Sequence, residues 1–421
     1  MKTIEIKEGI KLHLINTNKF KTNLISVFLT TPLSKENVTK NALIPAVLKR
    51  GTLFLKSQEE ISKTLEEMYG ASFNCGVDKI GNNQVLKFYI EAINNAYLPQ
   101  GQDNLKETLN LFFEIVFNPY ISNNSFIKEY VESEKNNLKK IIEGRKDSKA
   151  QYAFERCIEE MYENDPYSIY KYGNIKDLDR INEVNLFEYY KKILNEVKVD
   201  IFISGEISED VIKEVTENKN IKKLIDRKPN YIENNIKIRV KQEKKEKLTE
   251  EKMDITQGKL ILGLDILNED ENDKYIALIY NAILGGTPNS KMFQNVRERN
   301  SLAYTASSSY IRQKANIFIK CGIEIENYEK ALKLIKEQIE DMKKGDFLDD
   351  DIAQAKVNTI STIKFIPEEQ DTELMYYFSQ ELSGYEMNYE EYIKKINSVT
   401  MSDVIELANR IQINTIYFLR N

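Results

Sequence analysis

Apolar and polar residues alternate with a period of about two in Thr3–Lys7, Ile10–Asn16 and Leu24–Thr31, which predicts three β-strands at the start of the chain. The period then becomes helical through Lys40–Arg50 and Glu59–Tyr69. Strand patterns return in Ala71–Val77 and Gln84–Ala92, with Gly81-Asn82-Asn83 between them as a hairpin turn. Amphipathic helical spacing follows in Asn104–Phe117 and from Asn124 to Tyr162. Val197–Ile203 predicts a strand and Ser208–Thr216 a helix. Later segments predict a strand at Lys259–Leu264, helices at Lys274–Leu284 and Ser290–Arg299, and strands at Ala303–Ile311 and Ala315–Ile323. Helices then run to Arg410, before a last strand at Thr415–Leu419.

The order of elements in the second half repeats that of the first. An offset of 235 residues places Ala277-Leu278-Ile279 on Ala42-Leu43-Ile44, Gly286-Thr287 on Gly51-Thr52, and Lys291 on Lys56. The same offset places Tyr304, Ala306 and Ser307 on Tyr69, Ala71 and Ser72, giving nine identities over 31 ungapped positions. Between about Lys219 and Glu251 the composition shifts to Lys, Glu and Asn, and Val240–Lys247 is almost wholly charged. A mixed charge run of this kind reads as a solvated connector or edge strand. The expected organisation is a first α+β half at 1–225, a connector at 226–251 and a second α+β half at 252–421. Each half mixes a sheet with helices packed on it.

Composition narrows the possible functions. The 421 residues carry 60 Lys+Arg and 66 Asp+Glu, a net charge of −6, so no global basic field favours a nucleic-acid backbone. No apolar run approaches the ~20 residues needed to span a bilayer, and the first residues hold no signal-peptide core, so a cytoplasmic protein without membrane association is expected. Cys75, Cys157 and Cys321 are odd in number and widely spaced, which fits inert thiols rather than a disulfide framework or a zinc clamp. The lone histidine, His13, sits in a strand pattern and excludes any site built on two imidazoles. The acidic run Asn268–Asp273 lacks the glycine and terminal glutamate of a calcium loop and reads as a solvated turn. Tyr376-Tyr377-Phe378 reads as core or partner surface rather than a platform for bases.

The most informative stretch lies in the second half. Gly285-Gly286-Thr287-Pro288-Asn289-Ser290 forms a helix–helix corner, with Thr287 or Asn289 available to cap the next helix. No Gly-Lys-Ser/Thr follows, so a phosphate cradle is not written here. The Gly-Gly turn, the later Ser, Phe293-Gln294 with Arg297 three residues on, and Leu302-Ala303-Tyr304, with Tyr304 seven residues past Arg297, together resemble the C-terminal-half signature of the pitrilysin/insulinase zinc metallopeptidases, the inverzincins. The resemblance extends over almost the whole chain, duplication included.

That resemblance implies a clamshell of two homologous halves, with zinc held on the first by an inverted H-x-x-E-H motif before a Gly-Thr turn and by a downstream glutamate. Here the two histidine positions are Ala42 and Ala46, and the general-base position is Pro45. In the family's Glu-x6-Glu helix, Glu134 matches the first glutamate and Ile141 occupies the second, the ligand position. Glu143 supplies at most one nearby carboxylate. A catalytic zinc needs three protein ligands and a base, and alanine, proline and isoleucine side chains offer none, so the zinc site reads as degenerate and this chain is expected to hold no cofactor.

Arg297 and Tyr304 survive. By the resemblance they position substrate, the guanidinium donating to peptide carbonyls and the phenol to a developing oxyanion. The alternative is that Arg297 is a surface residue and Tyr304 a core residue. Opposite Arg297 the first copy has Ser62, so the arginine is not a feature of the repeat. Some small bacterial members of the family divide the two motifs between subunits. The chain resembles the zinc-less Arg/Tyr subunit of such a heterodimer, which implies a homologous zinc-motif partner, or itself as a homodimer, with zinc in the partner and a peptide as substrate. The alternative function is a non-catalytic peptide-binding or scaffold protein that retains the fold.

Overall fold

A computed structural model describes residues 1–234, 241 and 245–421. Part of the charged run at Val240–Lys247 therefore lies outside the described residues. Six strands form the first sheet: β1 (Lys2–Lys7), β2 (Ile10–Asn16), β3 (Thr22–Pro32), β4 (Ser72–Ile80), β5 (Asn83–Ile93) and β6 (Lys198–Gly205). Their order is β1-β2-β6-β3-β5-β4, with β2 and β6 parallel and every other pair antiparallel. Five form the second: β7 (Lys247–Lys252), β8 (Gly258–Ile266), β9 (Ala303–Ile311), β10 (Asn316–Ile323) and β11 (Ile411–Arg420), in the order β9-β10-β8-β11-β7.

Read from β9, the second sheet repeats the first read from β4, including one parallel pair, β7 with β11, at the matching place. Strand β7 overlaps the span expected as connector, where the charged run reads as a solvated connector or edge strand, and it is an edge strand. It is the counterpart of β2, whose residues 10–16 fall on 245–251 at the repeat offset. The charge suits its place, since an outermost strand is protected from unwanted pairing by Lys and Glu.

The chain is of mixed α+β class, with helices packed on both sheets. Most helices follow the expected periodicity, among them Val38–Leu48, Gln58–Glu67 and Asn104–Phe117. The long amphipathic run after Asn124 divides into Lys128–Glu143 and Lys149–Met161, where Gly144 ends the first helix. The helix Glu183–Glu196, missed by the sequence reading, buries Leu186, Phe187, Tyr190 and Ile193. The Gly-Gly corner is π-helical: Ala282–Gly286 and Met292–Arg299 follow the α-helix Asp273–Asn281.

Two compact units emerge, and neither is one continuous stretch. The first comprises Met1–Gly144, Ile169–Glu233 and Glu368–Phe378; the second comprises Arg145–Ser168, Asn234–Pro367 and Ser379–Asn421. In the first unit Phe378 packs on Phe28 with ring centroids 4.2 Å apart, and Gln370 Nε2 donates to the backbone oxygens of Thr22 and Ser204. In the second, helix Lys149–Met161 buries Tyr152, Ala153, Cys157 and Met161 against Ile261, Phe318, Tyr417 and Leu419 of the sheet. Gly263 makes room for it, because a Cβ there would sit 2.7 Å from Met161 Sδ. Fully burying one such aromatic or aliphatic side chain contributes roughly 1.5–3 kcal/mol.

Candidate functional site

Ala42, Pro45 and Ala46 lie on helix Val38–Leu48, Pro45 buried and the two alanines half-buried. Pro45 has no N–H and removes one intrahelical hydrogen bond. Its carbonyl accepts from the Cys75 thiol at 3.2 Å, and burial pushes that thiol up to about 11. The position where the resemblance places a base thus carries a ring without a titratable group.

Helix Lys128–Glu143 packs beside this helix and carries the other two positions. Ile141 is exposed, whereas Glu134 is buried at 3% exposure. Arg50, one turn beyond Ala46, pairs with the Glu134 carboxylate and donates from Nη2 to Ser133 Oγ at 3.1 Å. Asn137 Nδ2 donates to the other Glu134 oxygen at 3.1 Å. Glu143 faces solvent beside Lys139. These residues do not fit zinc: two of the expected ligands are methyl groups, a third is an alkyl chain, and the retained carboxylate is already neutralised by a guanidinium. Among the described residues, no cluster of three or more His, Cys, Asp or Glu side chains is arranged to hold a metal ion. Sequence reasoning missed Arg50, which lies just past the end of helix Val38–Leu48 and whose partner Glu134 is 84 residues away.

The second-half residues are presented differently. Arg297 lies on the π-helical segment Met292–Arg299, its side chain 43% exposed, stacked over Phe293 at 4.6 Å and 3.5 Å from the Glu298 carboxylate. Tyr304 is 59% exposed and donates to Glu324 Oε1 at 3.2 Å. It is the extra residue of a β-bulge, because Ala303 pairs with Ile323 and Thr305 with Gly322. A bulge in an outermost strand turns a side chain out of the regular alternation. The alternative of a core Tyr304 does not hold, and its counterpart Tyr69 is exposed too, at 50%.

Gly285 brings the corner onto this strand, since a Cβ there would meet the Ser308 backbone nitrogen at 2.6 Å. Neither expected cap forms: Thr287 Oγ1 donates to the Ala282 carbonyl, and Asn289 Nδ2 to Gln354 Oε1. The π-helical turn before Thr287 draws its hydroxyl back onto that turn rather than forward.

His13 is fully buried in its strand with both ring nitrogens partnered. Its Nε2 lies 3.1 Å from Asp200 Oδ1, its Nδ1 lies 3.0 Å from the Thr3 hydroxyl, and its ring stacks on Phe202. Lys198 also pairs with Asp200. Burial alone would raise the Asp200 carboxyl; Lys198 and His13 override it and hold the group below the usual carboxylate range. Cys157 and Cys321 are buried, and all three cysteines are free thiols.

Comparison with known proteins finds relatives along the whole chain. A family model described as "Peptidase M16 inactive domain" matches residues 180–358. The chain is 34% identical, over 98% of its length and 96% of the other protein, to the "probable inactive metalloprotease YmfF" of Bacillus subtilis (strain 168). It is 22% identical over 98% of its length, and 95% of the other, to the "uncharacterized zinc protease YmxG" of the same organism. A crystal structure of a conserved protein from Enterococcus faecalis V583 superposes with a TM-score of 0.89 at 29% identity, covering 100% of this chain and 98% of that one. The M16 inactive domain from Pseudomonas fluorescens shares the fold at a TM-score of 0.78 and 18% identity, covering 100% of this chain and 98% of that one. No helix among the described residues is long and apolar enough to cross a membrane. With its likeness to YmfF running nearly end to end, the chain belongs to the M16 metallopeptidase family as a metalloprotease-like protein of its inactive kind.

Proposed function

We propose that this protein is the non-zinc subunit of a two-chain peptidase, binding peptide through its second unit for hydrolysis at the zinc of a homologous partner. The observation that carries the reading is the contrast between the halves. The positions that the resemblance gives to ligands in the first are aliphatic, while Arg297 and Tyr304 in the second are exposed, Tyr304 on a bulge. A guanidinium at the surface of a peptide-binding face donates to substrate carbonyls, and a phenol donates to the oxyanion that develops on the scissile carbonyl. The presence in one organism of two relatives, one named an inactive metalloprotease and the other a zinc protease, fits such a division of labour.

The test is peptide cleavage by the purified chain with zinc, by a zinc-motif homologue from the same genome, and by their mixture, with and without a chelator. Chelator-sensitive cleavage that rises only in the mixture, and falls on Arg297→Ala with Tyr304→Phe, is the expected result. Full activity of the mixture with both substitutions in place overturns the substrate-positioning role. No cleavage in any combination, with peptide binding retained, transfers the reading to a non-catalytic scaffold.

A further inference from the structure

Helix Asp349–Phe365 carries a surface unlike its counterpart in the first unit. Both helices pack beside the helix that opens the repeat, Val38–Leu48 in one unit and Asp273–Asn281 in the other. On Lys128–Glu143 the exposed positions include Lys128, Glu129, Glu132, Lys139, Lys140 and Glu143, an ordinary solvated face. On Asp349–Phe365 the exposed positions between Asp350 and Lys364 are Ala353, Gln354, Val357, Asn358, Ser361 and Thr362, none of them charged. Val357 is 63% exposed and Phe365 66% exposed, in a chain whose residues are 30% charged. Ala353, Val357, Ser361 and Phe365 recur every fourth position and so form one stripe along the helix.

The stripe is complementary to itself when reversed. Val357 is the central residue of Asp349–Phe365. In an antiparallel pairing of two copies about a two-fold axis at Val357, that residue meets its own copy. Ala353 then faces Ser361, Asp350 faces Lys364, and Phe365 lies over the partner's first turn. Small residues on either side of the axis let the helix backbones approach, and the two acid–base contacts at the ends fix the direction. A parallel pairing would set the acidic first turns, Asp349-Asp350-Asp351, against one another. We infer that this helix face is the docking surface for a second copy of the same chain, in an antiparallel two-fold pair centred on Val357. The inference does not rest on the proposed peptidase role.

The test is sedimentation velocity on the full chain over a range of concentrations. The wild type is expected to form a dimer. Val357→Lys, which places two ammonium groups on the axis, is expected to raise the dimer dissociation constant by about tenfold or more. Lys364→Asp is expected to weaken the dimer, and adding Asp350→Lys to recover it. Val357→Cys, at a position that meets itself, is expected to cross-link into a covalent dimer on mild oxidation, whereas Glu329→Cys on another helix is not. All these positions are exposed, and circular dichroism checks that each variant keeps the fold. A wild type that is monomeric at the highest attainable concentration overturns the inference. So does a dimer that Val357→Lys leaves intact, which would locate self-association elsewhere.

Discussion

Replacing Arg50 with methionine removes the cation facing Glu134 while keeping most of the side-chain volume. Glu134 is 3% exposed and the Arg50 side chain about a quarter exposed. Breaking a fully buried ion pair costs about 3–5 kcal/mol, because the remaining charge stays desolvated, whereas an exposed pair contributes about 0–1 kcal/mol. Water reaching the guanidinium side and the surviving Asn137 hydrogen bond place Arg50→Met between these limits, at about 2–3 kcal/mol. Glu134→Gln leaves Arg50 with Ser133 Oγ and solvent, and costs less, about 1 kcal/mol. The double variant is expected to cost less than the sum of the two, with a coupling of about 1–2 kcal/mol. Urea unfolding followed by circular dichroism measures each change, and a melting shift of about 4–12 °C is expected for Arg50→Met in a unit of this size. A change below about 0.5 kcal/mol, or strict additivity in the double variant, refutes the view that Arg50 holds the retained glutamate in place.

Three further outcomes follow from other sites. Gly285→Ala forces a Cβ to within 2.6 Å of the Ser308 nitrogen, so it should destabilise the second unit by about 1–3 kcal/mol in urea unfolding. Lys274 is 2% exposed, with its ammonium over Tyr275 and Tyr385, and burial, then the nearby Arg312, lower its pKa to about 8. A lysine with a folded pKa below its unfolded one binds fewer protons when folded, so its contribution to stability rises with pH between about 8 and 10.5. Lys274→Met should therefore be at least as stable as wild type near pH 7, with the gap closing as the pH rises through that window in parallel denaturation series. Asp200 is held low, so its pairing with Lys198 contributes above the unfolded carboxylate pKa and is lost as pH falls through the folded one. Lys198→Met should accordingly destabilise the first unit at neutral pH, and the difference should shrink on acidification in the same assay.

The fold class and the repeat were legible because both depend on local periodicity: nine identities at one offset link 42–72 to 277–307, and the two sheets share one strand order. What local periodicity does not encode is the surface against which an apolar stripe is buried. Helix Lys149–Met161 shows the same amphipathic spacing as Lys128–Glu143 just before it, yet the two belong to different compact units. Only Gly263 and the sheet residues around it decide the matter, and they lie a hundred residues away. The strand Lys247–Lys252 stayed ambiguous for a different reason: its charges suit an outermost strand and are equally the mark of a connector.

The candidate site divides along the same line. That the Ala42, Ala46 and Ile141 side chains offer no metal donor could be read from residue identity alone, since no fold gives alanine a lone pair. The Arg50 pairing could not, because it depends on a carboxylate 84 residues away. Without Arg50, Glu134 would be an unpaired buried charge, and the arginine supplies a fixed positive group where the two helices meet. On this account the first unit is stable without metal, and adding zinc should leave the melting temperature of the wild-type chain unchanged. A zinc-dependent rise in calorimetry would mean that this chain holds the ion with donors other than Ala42, Ala46 and Ile141, and would reopen the peptidase question for the chain by itself.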